Sequence, residues 1–271
     1  MKNKYKEEMK AAGKQLPLAH RVPFNTTIQR AIPSSTHMAM VELMNRGHLK
    51  GVISQNIDGL HRKSGIDPSK MSEVHGNTNL ELCLKCGREH MSDYQVRTGG
   101  KDHKTGRICA TPGCKGELKD SIINFGDSLV PEIYHKGVEI GANSDLALCM
   151  GSSMRVPPAC NMPIQALANP NGKLVMINLQ KTPVDEYCTL VINEKTDKVM
   201  EMVMSKLNIP IPQFKRNYRL KVFLTNDKKS VKFSGVDSNG AVYTIFRNIK
   251  IYGLGSRYTS LPSGPGQAQP Y

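Results

Sequence analysis

No stretch of the 271 residues comes near the ~18 consecutive apolar residues that a membrane-spanning helix needs, so no membrane partner is expected. The opening Met1-Lys2-Asn3-Lys4-Tyr5-Lys6 lacks the apolar stretch of a secretory signal. No internal repeat is found, and collagen and coiled-coil classes are excluded with the membrane class. The seven cysteines are an odd number and no export signal accompanies them, which argues against a disulfide framework and for metal binding or buried thiols. What is present suits a folded chain. Apolar residues make up 39 %, enough to bury a core, and charged residues 22 %, so global disorder is not expected. The length is long for one compact domain and short for two full-sized ones.

Charge is strongly one-sided. The formal net charge is +14 and the isoelectric point about 9.5, a balance that favours polyanionic neighbours such as nucleic acid or acidic protein surfaces. From Phe214 to Tyr271 ten basic residues face only Asp227 and Asp237, so this tail alone carries +8. It reads equally well as a solvated surface and as a contact to nucleic acid or chromatin.

Residues 1–33 are polar and basic, and Gly13, Pro17, Pro23 and Pro33 interrupt any long helix, so a loosely structured lead-in is expected. Ser34, Ser35 and Thr36 offer caps for a helix with Met38, Val41 and Met44 at helical spacing, stopping near Gly47. Gly51–Ser54 reads as a short strand feeding the polar turn Gln55-Asn56-Ile57-Asp58-Gly59. Leu146–Met150, Leu174–Ile177 and Thr189–Ile192 are continuous apolar runs, as parallel strands buried on both faces would be. In such open α/β sheets ligands sit beyond the carboxyl ends of the strands. Thr196-Asp197 is expected to cap a helix whose buried side holds Val199, Met200, Val203, Met204 and Leu207. Beyond Pro210, Leu220–Leu224, Val231–Phe233 and Val242–Phe246 read as strands joined by turns at Asn226-Asp227 and Asp237–Gly240. The last ten residues, rich in Pro, Gly and Ser, read as disordered.

Cys83-x2-Cys86 and Cys109-x4-Cys114 are two pairs that can each aim two sulfurs at one point, with Gly87 and Gly113 freeing the backbone of the knuckles. Four thiolates complete the tetrahedron of a zinc ion and leave no position open for water, so the expected role is structural. Cys149, Cys160 and Cys188 fall in or beside apolar runs and read as core thiols. The turn at 55–58 offers two amides and a carboxylate just after a strand. Taken alone it reads more readily as an ordinary Asx-rich turn than as a ligand loop. His75, before Gly76, is by itself no more than one of 8 histidines.

The order of elements says more. Ser54–His61, Ser64-Gly65, Glu73-Val74-His75-Gly76, the four cysteines, Ile123–Asp127, Gly151–Ala159 and Ile177–Thr182 follow one another in a succession that closely resembles the sirtuin family of NAD-dependent protein deacylases. Gly151-Ser152-Ser153, Asn178-Leu179-Gln180 and Thr36-His37-Met38 resemble its class IV branch, sirtuins six and seven, and Glu73 through Thr182 resembles sirtuin seven more nearly. The resemblance runs from about Ile32 to Pro210. It implies an α/β fold: a Rossmann-like parallel sheet over 34–76 and 121–210 with a small inserted zinc-binding module over 77–120, while the β texture and charge beyond it read as a basic β-rich extension over 211–271.

The resemblance also implies an activity, NAD-dependent transfer of an acyl group from a protein lysine to ADP-ribose with release of nicotinamide. Gln55, Asn56 and Asp58 would contact nicotinamide and its ribose, and His75 would be the general base. Gly151, Ser152 and Ser153 would approach the phosphates and ribose, Asn178, Leu179 and Gln180 the adenosine end, with Thr196 a further adenine contact. Phe125-Gly126-Asp127 and Met154-Arg155-Val156 would line the acyl-lysine groove, where the substrate backbone adds as a strand. Acylated lysines of histones are among the implied substrates and the nucleus the implied location, although no compact basic run marks a localisation signal.

One family element is not found. The Gly-Ala-Gly-x-Ser turn after the first strand, which holds the pyrophosphate on a helix N-terminus, has no counterpart here. The expectation is therefore a sheet lacking its first βα unit, with unpaired apolar edges and weakened NAD binding. Two alternatives remain beside the deacylase: a zinc-stabilised chromatin or acyl-lysine binding protein without productive NAD binding, and a mono-ADP-ribosyltransferase using the same pocket.

Overall fold

The structure, a computed structural model, describes residues 31–92 and 94–215 and three further strands. The lead-in over 1–30, the two turns expected after residue 224 and the last ten residues lie outside the described residues, as does most of the basic tail. Thr78–Ser121 falls in one compact unit, and Arg30–Asn77 with Ile122–Arg216 in another.

In the second of these, α1 (Ser35–Asn45) starts where the Ser34 backbone N–H donates to His37 Nδ1 at 3.3 Å and ends just before Gly47. Its buried side chains serve two cores. Met40 and Met44 pack with Val52, Ile66 and Met71, while Ala39 packs with Met200, Met204 and Ile209. β1 (Val52–Ser54) runs parallel to β2 (Met71–Glu73), with Val52 opposite Met71. Between them lies the short α2 (Leu60–Ser64). α3 (Pro131–Ala142) precedes a second parallel sheet of β7 (Leu146–Met150), β8 (Lys173–Ile177) and β9 (Leu190–Ile192), in that order. α4 (Thr196–Lys206) follows.

Three details differ from expectation. Among the described residues the parallel strands form two sheets, β1–β2 and β7–β9, which share no ladder. β7 is buried on one face only. Ala147 and Cys149 pack with Leu174, Met176 and Ala166, whereas Leu146, Leu148 and Leu190 are 52 %, 37 % and 51 % exposed. Leu148 lies opposite Val175 and Val175 opposite Leu190, so the exposed side chains share the face that no described element covers. Third, the buried side of α4 is Val199, Met200 and Met204, while Val203 and Leu207 face outward. Its N-cap is Lys195, and the Asp197 carboxylate serves another helix. Asp197 Oδ1 accepts from Ser34 Oγ (2.7 Å), Thr36 N (2.8 Å) and Thr36 Oγ1 (2.5 Å), capping α1.

The other unit is a four-stranded antiparallel sheet in the order β4-β3-β6-β5, with β3 Leu80–Cys83, β4 Glu89–Met91, β5 Lys104–Ile108 and β6 Glu117–Asp120. So small a sheet buries little hydrocarbon, and buried ionic contacts are conspicuous in it. Arg107 Nε meets the buried Glu81 at 2.8 Å, and Asp120 accepts from His103 Nδ1 at 2.8 Å and Thr98 N at 2.8 Å. The further strands β10 (Arg219–Leu224), β11 (Val231–Val236) and β12 (Val242–Tyr243) pair antiparallel, matching the β texture expected there.

Candidate cofactor and catalytic site

The loops that leave β1, β2, β7 and β8 carry most of the implicated residues. After β1, the Asn56 backbone N–H donates to Ser54 Oγ at 3.2 Å, and Asp58 Oδ1 accepts from the Leu60 backbone at 2.9 Å. The second bond starts α2 and fixes the Asp58 carboxylate. Gln55 and Asp58 are half-buried and Asn56 is exposed, so the amides and carboxylate remain reachable.

His75 follows β2. Its Nδ1 lies 3.1 Å from the Gln55 carbonyl oxygen. A carbonyl can only accept, so Nδ1 carries the proton and the lone pair lies on Nε2. The same turn is held from behind. Glu73, buried, accepts from Arg62 Nε at 2.6 Å and from Asn77 Nδ2 at 2.8 Å, which ties α2 to the end of β2. On its other side the Ile123 N–H donates to the His75 carbonyl at 3.1 Å.

After β7, Gly151 turns the chain with φ +63° and donates to the Ile177 carbonyl. A β-carbon there would meet Thr196 at 4.0 Å, so Thr196 borders the same loop. Ser152 Oγ donates to Gln55 Oε1 at 3.4 Å, linking the loops of the two sheets. Asn178, after β8, donates from Nδ2 to the carbonyls of Ser152 (3.2 Å) and Gln180 (3.1 Å). Thus Gln55, Ser152 and Asn178 are joined by hydrogen bonds, Gly151 precedes Ser152 in the same loop with Thr196 bordering it, and His75 is joined by its bond to Gln55. Ser153, Leu179 and Gln180 are exposed on these loops. Phe125 is 96 % exposed, on a turn with Gly126 that Asp127 closes by accepting from Asn124 N at 2.7 Å. As placed here its ring covers nothing, and Val156 is half-buried.

Sequence reasoning missed a histidine pair beside Asp58. The His37 and His61 rings lie 4.9 Å apart. Burial, with His37 alongside, pushes the His61 pKa from 6.5 down to about 4, and burial lowers that of His37 too. Both rings are therefore neutral near pH 7. No spacing rule joins residues 37 and 61, and only the packing of α1 against α2 shows the pair.

The four cysteines converge. Cys83 and Cys114 sulfurs are 3.6 Å apart, Cys86 and Cys109 sulfurs 3.7 Å, and all four lie within 4.8 Å of one another. A tetrahedral zinc with Zn–S bonds of ~2.3 Å sets its sulfurs roughly 3.8 Å apart. The cluster therefore fits zinc, with no fifth group needed, and can hold one structural ion. Gly87 and Gly113 turn the knuckles at φ +69° and +75°. Cys149 and Cys160 are core thiols with Cys188 packed against them, and burial pushes the Cys149 thiol up to about 12.

Comparisons with known proteins agree with this arrangement. The Sir2 family profile matches residues 8–158, more than half of the chain. The NAD-dependent protein deacetylase SRT1 of Arabidopsis thaliana is 44 % identical over 213 residues, covering 79 % of this chain and 44 % of its own. NAD-dependent protein deacetylase sirtuin-7 of Bos taurus is 36 % identical over 200 residues, covering 70 % of this chain and 49 % of its own. The chain thus spans about half the length of these relatives. Among solved structures, Sir2Tm bound to a propionylated peptide superposes with a TM-score of 0.55 at 27 % identity, over 69 % of this chain and 76 % of that one. A Sir2 complex with p53 peptide and NAD+ gives 0.54 at 27 % identity, over 68 % and 74 %. The convergent loops, the cysteine cluster and these matches leave one assignment: the chain belongs to the Sir2 family.

Proposed function

We propose that the chain is an NAD-dependent protein-lysine deacylase that moves an acyl group from lysine to ADP-ribose and releases nicotinamide. The observation that carries this reading is the bond from His75 Nδ1 to the Gln55 carbonyl. It leaves His75 Nε2 as a base, and the Gln55 that holds the ring also accepts from Ser152 Oγ through its side-chain amide oxygen. When bound, NAD supplies the electrophilic ribose carbon, the leaving nicotinamide and the hydroxyl that takes the acyl group.

This chain's residues supply the rest. Gln55, Asn56 and Asp58 hold the nicotinamide riboside end, Gly151, Ser152 and Ser153 the phosphates and ribose, and Asn178, Leu179, Gln180 and Thr196 the adenosine end. The donor set suits such a ligand: side-chain amides and hydroxyls for hydroxyls, and a bare glycine where a backbone must approach closely. His75 Nε2 would take a proton from a ribose hydroxyl of bound NAD and hold it as imidazolium. Phe125, Gly126 and Val156 form the groove for the acylated lysine, with Phe125 folding onto the acyl chain to exclude water. Charge supports a location. A net +14 draws the chain to nucleic acid, hence to chromatin, histone lysines and the nucleus.

A second reading has one observation in its favour. Because β1–β2 and β7–β9 share no ladder among the described residues, the chain would serve as an acyl-lysine binding module without turnover. One assay separates them: nicotinamide released from NAD by the whole chain, with and without an acetyl-lysine peptide. The deacylase reading expects peptide-dependent release, and loss of deacylation by ~10²–10⁴-fold in His75→Ala. Peptide binding without release would favour the second reading. Label passing from NAD onto protein would favour ADP-ribosyl transfer.

A further inference from the structure

The cysteine cluster has a neighbour that no ligand pattern includes. β4 pairs antiparallel with β3, placing His90 opposite Glu81, and the alternation of β4 turns His90 inward. The ring is 6 % exposed, and its Nε2 lies 3.2 Å from Cys109 Sγ.

The four sulfurs differ in what can solvate them. Cys86 is exposed, so water can donate to its thiolate. Cys83 is buried, but the Cys86 backbone N–H reaches it at 3.4 Å. Cys109 is only 5 % exposed; Thr111 reaches its sulfur from the neighbouring backbone, and the buried His90 imidazole, 3.2 Å away, is the donor that comes from another strand. Four thiolates around a dication leave two net negative charges, and a buried anion without donors is costly. A metal-bound thiolate carries no proton, so the His90–Cys109 contact has only one possible sense, from Nε2–H to sulfur.

We propose that His90 is a positioning residue for the zinc site, donating from Nε2–H to the Cys109 thiolate and thereby setting how slowly the metal leaves. The inference rests on the four-thiolate reading of the cluster. His90 is not itself a ligand, since four sulfurs already match the tetrahedron. Outer hydrogen bonds of this kind typically change metal affinity by ~10–100-fold.

The test uses the full chain. Zinc content is measured first, then the rate at which a colorimetric chelator removes zinc from wild type, His90→Gln and His90→Leu. The glutamine keeps an N–H near the position of Nε2, and the leucine removes it. The expected result is one zinc per chain in wild type, release ~10–100-fold faster from His90→Leu, and a rate within about threefold of wild type for His90→Gln. Equal rates for wild type and His90→Leu overturn the inference while leaving the four-thiolate site intact. A wild-type chain that binds no zinc overturns the four-thiolate reading, and this one with it. Should His90→Leu fail to fold, the imidazole ¹⁵N spectrum of the zinc-loaded wild type decides. A proton on Nε2 supports the donor role, and a bare Nε2 refutes it.

Discussion

The two compact units solve the same problem, holding short strands together, by opposite means. In Thr78–Ser121 four short antiparallel strands close around sulfurs, and the polar partners of Glu81 and Asp120 lie within 26 residues of them. The unit over 30–77 and 122–216 relies on packing between segments far apart in the chain, such as the Asp197 clamp on Ser34 and Thr36. It also leaves one face of β7–β9 exposed. Local cross-linking tolerates a thin core, whereas parallel strands need crossovers and cover on both faces.

The largest effect tests the metal side of that contrast. Structural zinc typically contributes ~10–16 kcal/mol to folding, so Cys83→Ser or chelation should unravel Thr78–Ser121. Limited proteolysis should then cut within 78–121 while peptides from α1 and β7–β9 stay protected. Simultaneous cutting everywhere would mean that the two units do not fold by separate means.

That first contrast was partly legible in sequence. Ligand cysteines with two and four residues between them announce themselves, because each pair must share one knuckle. The apolar runs announced β7, β8 and β9 within a residue or so, and the helix at 35–45 was marked by its caps and by Gly47. What was not legible depended on register or distance. Nothing in the sequence sets His90 against Cys109, because strand pairing does that. Asp197 looked like a cap for its own helix, yet its oxygen reaches residues 161 and 163 positions away. An apolar run does not say whether both its faces will be covered, so Leu148 and Leu174 read alike.

Glu73 offers the next largest effect. Its buried carboxylate joins Arg62 and Asn77 behind the His75 turn, and breaking such a pair typically costs ~3–5 kcal/mol. Glu73→Ala should lower stability by that order in urea unfolding without releasing zinc. A change below about 1 kcal/mol would show that the brace is dispensable. The two faces of the β7–β9 sheet can be compared directly. Leu174 is fully buried, so Leu174→Ala should cost ~2–5 kcal/mol, whereas Leu148→Ala on the open face should stay within about 1 kcal/mol. Equal losses would mean that something covers Leu148.

The mildest effect concerns acid. His61 is held neutral by burial, with its pKa lowered from 6.5 to about 4. Between those values the unfolded chain takes up a proton that the folded chain refuses. Its contribution is therefore intact above pH 6.5 and falls away toward pH 4, by at most about 3 kcal/mol. His37 shifts in the same direction and adds to the slope. Urea midpoints from pH 7.5 downward should fall less steeply in His61→Gln than in wild type, and parallel curves would remove His61 from the account.

On the function proposed above, loops from two parallel sheets that share no ladder among the described residues form a single dinucleotide site around Gln55, Ser152 and Asn178. Calorimetric titration of NAD into the whole chain tests it most directly. One molecule bound per chain, with clear weakening in Asn178→Ala, is the predicted result. Absence of binding at millimolar NAD, or binding unchanged by that substitution, would contradict it.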